Sequence, residues 1–489
     1  MMEQYALIFK GHSFGYEVQA TAKIFIPSVR FILCENGEIP PNIENTILTE
    51  IIHENDTVVN VEIHLHGKFW KESKSISGAA AKNQLEFALC SLLYEGLQDL
   101  TGYTPPWGLL TGIRPVRKVI QAFDNGLTPE QAFQTLQHQY RISDKKMKLA
   151  LETALIQKDI LPHSPQEIGL YISIPFCPTR CNYCSFVSHS MDSAYQLIPE
   201  YVDKLCQEIA IFGRIIEKYH LLVQSVYIGG GTPTSVTAEQ LDTIMQTISE
   251  HIDLGHAREY TVEAGRADTI TKEKLQVIHD RKADRISVNP QTLQDSVLQA
   301  IGRRHTAQQV LDAFALAREM GFDNINMDLI AGLSTDTFEG FSDTLHKVMN
   351  LNPESITVHT LTVKRSADLY HSDEIRTQIS EVEKMAELSA NLLPHGGWMP
   401  YYLYRQKNTI GNLENVGYAK AGKENLYNIL IMDETQTILG AGCGASTKII
   451  DRDGDIHRVM NYKFPFEYIS RFEQLMQKKI QIEEELEKL

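Results

Sequence analysis

Residues 169–184 read GLYISIPFCPTRCNYC: an apolar, β-branched run, a short Pro-containing loop, and three cysteines, Cys177, Cys181 and Cys184, at spacings of four and three. The run reads as a short buried strand, and it ends where the thiols begin. Outward from it, strands and amphipathic helices alternate. GLYISI precedes a helical pattern over 194–217, SVYIGG one over 237–252 and EYTVEA one over 271–280, and RISVNP, NINMDLIAG and ESITVHTL continue the series. Regular alternation of this kind builds parallel βαβ units, so the expected class is α/β with an open or partly closed (β/α) barrel. Polar and glycine-rich signals collect just after the strands, where such folds place ligand chemistry.

On either side of this series the texture differs. From residue 1 to about 68, stretches such as YEVQATAKIFI and TVVNVEIHLHG suggest a few short strands, and residues 79–100 repeat apolar positions at helical spacing. Helical patterns then run to about 160, and LPHSPQEIG, with Pro162, Pro165 and Gly169, reads as a linker. The expected organisation is an N-terminal α+β domain over 1–163, the barrel over 164–395 and a C-terminal extension over 396–489. In that extension two or three further strands and terminal helices are expected. No repeat of 20–50 residues and no low-complexity tract is visible.

Composition narrows the function. With 489 residues and 43% hydrophobic content the chain can bury a sizeable core, and no apolar run approaches the roughly 18–20 residues of a membrane span. Lys10 and His12 break the first apolar run, unlike a signal peptide. A net charge of −16 disfavours nucleic acid and acidic membranes as partners. Seven cysteines, an odd number, with three of them inside eight residues, point to metal or catalytic thiols in a reducing, cytoplasmic setting.

Three thiolates on one loop suit three irons of a cubane and leave the fourth iron open to a chelating ligand. The alternative is a zinc knuckle completed by His189, but Cys-x3-Cys-x2-Cys is an unusual zinc spacing. Gly229-Gly230-Gly231-Thr232 closes the next strand, and glycine there lets backbone approach a ligand closely.

In order, YISIPFCPTRCNYCSF, GGGTPT, TVEA, RISVNPQT, AIGRRHT and NMDLIAGL resemble the oxygen-independent coproporphyrinogen III oxidase family of radical S-adenosylmethionine enzymes, which includes cytoplasmic haem chaperones. PPWGLLTGIRPVRK and YYLYRQKN resemble its longer subgroup of coproporphyrinogen dehydrogenases. The resemblance implies a partial (β/α)6 barrel and a 4Fe–4S cluster held by Cys177, Cys181 and Cys184. It also implies S-adenosylmethionine contacted by Tyr171, Tyr183, Gly230, Gly231, Thr232, Glu263, Gln291, Arg303 and Asp328. Carboxylates accepting from hydroxyl and amine groups, with Arg303 on a carboxylate, fit the chemistry of that cofactor. Tyr171 reads equally as a core aromatic.

The implied reaction is oxidative decarboxylation of coproporphyrinogen III propionates to vinyl groups. A 5′-deoxyadenosyl radical would abstract a β-hydrogen, followed by loss of carbon dioxide and one electron. The implied partners are a tetrapyrrole substrate and a low-potential donor such as flavodoxin or ferredoxin. Two rivals are a haem-binding chaperone of the same family and a radical enzyme acting on another tetrapyrrole. Ser173 stands where the oxidases usually carry His, Phe186 where they carry a fourth cysteine, and the ending of TVEAGRAD departs from the family pattern. Arg114, Arg117, Lys118, Arg304, Lys364, Arg365, Arg405 and Lys407 are candidate propionate partners. His305 and His359 are candidates to ligate haem iron or face a substrate, the commoner outcome being a hydrogen-bonded structural histidine. The scattered cysteines give no auxiliary cluster, and no segment resembles a cobalamin-binding domain.

Overall fold

The computed structural model describes residues 3–26, 29–34, 42–78, 80–162, 164–184, 188–361, 372–406 and 412–487. The chain forms two compact units. The first takes Met1–Leu151 together with Thr362–Ser380 and Arg405–Leu413, and the second takes Glu152–Leu361, Glu381–Tyr404 and Glu414–Leu489.

In the first unit, strands β1 (Gln4–Lys10), β2 (Arg30–Cys34), β3 (Asn45–His53), β4 (Thr57–Leu65) and β5 (Lys68–Ile76) form one sheet in the order β2-β1-β3-β4-β5. β1 lies parallel to both β2 and β3, whereas β3, β4 and β5 form an antiparallel meander. Alternation along β4 buries Val59, Val61, Ile63 and Leu65, which join Leu85, Leu89, Leu93 and Leu97 of the helix Lys82–Thr101 in one core. Burial of this size, at about 25 cal/mol per Å², is what orders a short meander that would be marginal alone.

The second unit is built on β6 (Glu167–Ile174). After the short ladder of β7 (Phe176–Cys177) with β8 (His189–Ser190) come β9 (Leu222–Gly230), β10 (Glu259–Gly265), β11 (Arg285–Val288), β12 (Ile325–Ala331) and β13 (Ser355–Thr360). The six strands β6 and β9–β13 lie side by side in chain order, each parallel to the next. Helices connect them, because a parallel neighbour can be reached only by a crossover. Thr237 and Thr306 begin two of these helices, each with a reciprocal bond to the glutamine three residues on, a capping box that satisfies backbone donors a helix start leaves open. The sheet is an open, partial (β/α)6 barrel.

Among the described residues, the segment after 395 contributes five strands rather than two or three: β14 (Met399–Arg405), β15 (Glu414–Ala419), β16 (Thr437–Ala441), β17 (Ser446–Ile450) and β18 (Ile456–Met460). β16 adds parallel to β6 and β15 adds antiparallel to β13, so both open edges of the parallel sheet are covered. Every residue of β15 and of β16 is buried. Strands buried on both faces lose the alternation by which sequence patterns reveal them.

Candidate functional site

Register gives the parallel sheet two unlike faces. One carries Ile168, Leu170, Ile172, Val226, Ile228, Val262, Ile286, Met327, Leu329, Ile356 and Val358, all buried. The other carries Tyr171, Ser173, Tyr227, Thr261, Glu263, Ser287, Asn326, Asp328, Thr357 and His359. A polar inner face on an apolar outer one is that of a ligand-lined barrel rather than a packed core.

At the carboxyl end of β6 the cysteine loop is tied down on two sides. Thr179 Oγ1 donates to Gly302 O (2.7 Å), Asn182 Nδ2 to Ala300 O (3.0 Å) and Asn182 N to Ile301 O (3.2 Å), so the AIGRRHT segment is a clamp for the loop. From the other side Gly231 N donates to Ile174 O and Thr232 N to Phe176 O, both at 2.8 Å, and Thr232 Oγ1 lies 3.5 Å from Cys177 Sγ. A Cβ on Gly231 would sit 2.6 Å from Phe176 O and 3.0 Å from Cys177 Sγ. Gly231 is therefore small because the cysteine loop lies against it, a reason within the protein itself. Gly230 adopts φ 110°, and a Cβ there would meet Ser173 Oγ at 2.9 Å.

Across the inner face, Tyr227 donates to Glu263. Burial pushes Glu263 up to about 7, Asp328 reinforcing it while Tyr227 and His359 oppose it. Burial also works on Asp328, but bonds from His359 and Asn326 outweigh it and hold that carboxyl below its ordinary range. His359 Nε2 lies 3.7 Å from Asp328 Oδ2, so His359 does face the inner side. Tyr171, Tyr227 and Tyr427 form a stack, with Tyr227 and Tyr427 centroids 4.3 Å apart. Tyr427 opens the helix Leu426–Asp433, whose first two backbone N–H groups, of Leu426 and Tyr427, donate to Glu259 at the start of β10. That helix closes the barrel at the end opposite the cysteines.

Arg303 and Asp328 are gathered by a residue the sequence reading passed over, and Gln291 joins them through its backbone N–H, which donates to Asp328 O (2.9 Å). Asn289 accepts Arg303 Nη1 on its carbonyl (2.6 Å) and Asp328 N on its side chain (3.2 Å). Arg303 also reaches the hydroxyl of Tyr183 (3.3 Å), whose ring packs on Val297, Leu298 and Ile301. Gln291 takes φ 65°, unusual for a side-chain-bearing residue, and bridges to Leu329 of β12. Gln291 Oε1 and Arg303 Nε are buried with no hydrogen-bond partner.

The other candidates separate. His305 is buried, with Nδ1 3.3 Å from Asp268 Oδ1, placed as a structural histidine beneath the cysteine loop. His189 lies edge-on to Phe464. Arg114, Arg117 and Lys118 line one cavity of about 230 Å³ in the first unit. Arg405, of the same unit, is instead buried over Trp107 and bonded to the carbonyls of Leu110 and Gly112. Arg304 is exposed. Phe186, Lys364, Arg365 and Lys407 lie outside the described residues. None of the seven cysteines, all described, is in a disulfide. No described helix is long and apolar enough to cross a membrane.

The sequence profile of the radical SAM superfamily matches residues 171–348. The oxygen-independent coproporphyrinogen-III oxidase-like protein HemZ of Bacillus subtilis is 40% identical over 431 residues, 86% of this chain and 85% of its own length. The chain belongs to the oxygen-independent coproporphyrinogen-III oxidase-like family of radical SAM proteins. The chain is also similar to the heme chaperone HemW of Bacillus subtilis, 31% identical over 56% of this chain and 69% of that protein. Among solved structures, coproporphyrinogen III oxidase (HemN) from Escherichia coli superposes with a TM-score of 0.51 over 66% of this chain and 72% of its own, at 21% identity, a likeness of fold.

Radical SAM membership brings a 4Fe–4S cluster and S-adenosylmethionine as cofactors. The inner face suits them. Cys177, Cys181 and Cys184 are all outside disulfides, and a cubane takes one such sulfur per iron. Two of the described buried polar atoms that lack a hydrogen-bond partner, Gln291 Oε1 and Arg303 Nε, are an acceptor and a cationic donor, Arg303 following directly on the segment that clamps the cysteine loop. A zwitterionic nucleoside satisfies both.

Proposed function

We propose that the chain oxidatively decarboxylates coproporphyrinogen III, with Cys177, Cys181 and Cys184 each ligating one iron of the cluster. The observation that supports the radical chemistry is a pair of unpartnered buried atoms, Gln291 Oε1 and Arg303 Nε, the second directly after the segment that clamps the cysteine loop. Bound here, cluster and S-adenosylmethionine supply a 5′-deoxyadenosyl radical on reduction. The chain's own residues bind and orient. Arg303, steadied by Asn289 and Tyr183, pairs with the methionine carboxylate, and Glu263 and Asp328 accept from hydroxyl and amine groups. Gly230, Gly231 and Thr232 hold the cysteine loop at its distance, and Tyr171 furnishes an aromatic wall. The helix Leu426–Asp433 keeps water out from the far end. The substrate assignment is supported by the 40% identity to the coproporphyrinogen-III oxidase-like relative.

A second reading, haem handling, is favoured by Ser173. Its hydroxyl donates to Cys443 O (2.8 Å), so no proton donor of the histidine kind reaches the inner face from this position. One experiment separates the two. Cluster-reconstituted protein is incubated anaerobically with S-adenosylmethionine, a reductant such as reduced flavodoxin, and coproporphyrinogen III, and nucleoside and tetrapyrrole products are weighed by mass spectrometry. Substrate-dependent 5′-deoxyadenosine with stepwise loss of carboxyl mass is expected, and Cys184→Ser should abolish both. Deoxyadenosine with an unchanged tetrapyrrole would refute this substrate. Absence of cleavage by cluster-loaded protein that binds haem tightly would favour haem handling.

A further inference from the structure

Arg266 follows β10, is 4% exposed, and divides its guanidinium in a fixed way. Asp268 takes one edge, Nε at 3.0 Å and Nη2 at 2.7 Å. Nη1 is left for the cysteine loop, 2.8 Å from Thr179 Oγ1, 3.1 Å from Thr179 O and 3.9 Å from Cys181 Sγ. Asp268 is itself held by His305, and its carboxyl stays well below the ordinary range, because the bonds from His305 and Arg266 outweigh the effect of burial. The pair thus points its cationic end at a thiol and its anionic end away.

We propose that Arg266, its charge partly offset by Asp268 on the edge away from the sulfur, is a positioning residue that sets the reduction potential of the cluster through Cys181. The proposal rests on Cys181 as an iron ligand. One-electron reduction adds negative charge to the cluster and its sulfurs, and a buried N–H and cation beside one sulfur stabilise the reduced form more than the oxidised one. Burial keeps that charge from being screened. Asp268 opposes the effect from the far edge of the guanidinium, so the two residues pull the potential in opposite directions.

The test is a redox titration followed by electron paramagnetic resonance on anaerobically reconstituted full-length protein, with iron and sulfide counted for each variant. Arg266→Gln is expected to keep its iron and to shift the oxidised-to-reduced ratio at least tenfold toward oxidised, about 59 mV more negative for one electron. Asp268→Asn should shift it in the opposite direction, and Arg266→Lys should fall between wild type and Gln. Potentials that do not move, or that move the same way in both variants, overturn the proposal, since general loosening would do that. If Arg266→Gln loses its iron, the sign for Asp268→Asn decides: upward supports and anything else overturns. Wild type without iron defeats the ligand assignment itself, and is told apart by the iron count.

Discussion

Among single residues, Glu263 is displaced from its solution behaviour by burial, against the bond from Tyr227. It lies on the inner face opposite Asp328, and its pKa rises from an ordinary 4.5 to about 7. An acid whose folded pKa is raised contributes stability that is complete below the unfolded value and lost as pH rises through the folded one. In cluster-free protein, Glu263 should therefore weaken the fold between about pH 5 and about pH 8, by on the order of 3 kcal/mol. Glu263→Gln should remove that dependence. Thermal unfolding midpoints at the two pH values measure it, and a wild type that falls no more than the glutamine variant would show that Glu263 ionises at its ordinary pH. Gln291 is unusual in another way: its left-handed backbone costs on the order of 1 kcal/mol, an expense consistent with a side chain aimed at a ligand.

At the scale of elements, the loops after β6 and β9 act as one object. Each is stiffened by the other through Gly231 and Thr232, and the clamp from 300–302 holds the cysteine loop from its other side. Gly231→Ala places a methyl where Phe176 O and Cys177 Sγ already are, so the cysteine loop must shift. A cost of about 1–3 kcal/mol and a fall in iron bound per chain are expected. Gly112→Ala, where a Cβ meets nothing within 4 Å, is the control and should leave the iron content unchanged. Equal iron in both variants would mean that the close approach is unnecessary for holding the cluster.

For the second unit as a whole, the terminal helix Phe472–Leu486 is integral to the site it lies far from in sequence. Lys479 Nζ pairs with Glu208 Oε1 at 2.5 Å, both side chains buried, and Glu208 also accepts from Gly442 N, Tyr468 and Asn461. Through Tyr201, which bonds Ser173 O and Cys443 N, this network reaches the strand that precedes the cysteines. Lys479→Met leaves a buried carboxylate without its cation and should cost roughly 3–5 kcal/mol. Adding Glu208→Gln should restore part of that loss. A double variant no more stable than Lys479→Met alone, by thermal denaturation, would contradict the pairing.

The sequence by itself determined the alternation of parallel strands with helices, the place of the three cysteines after the first of those strands, and the glycine run and carboxylates at the ends of later ones. These are legible because they are local: a spacing of three or four residues, an alternation along a strand, a glycine where a strand stops. The family followed from six motifs in order. Tertiary structure alone decided which side chains meet across long stretches of chain. It put Arg266 and Asp268 behind Cys181, set Asn289 between Arg303 and Asp328, buried Arg405 under the loop at Leu110, and laid β15 and β16 along the two open edges of the sheet. No local pattern marks such meetings, because a buried arginine or a strand covered on both faces is defined by neighbours that only the folded chain supplies.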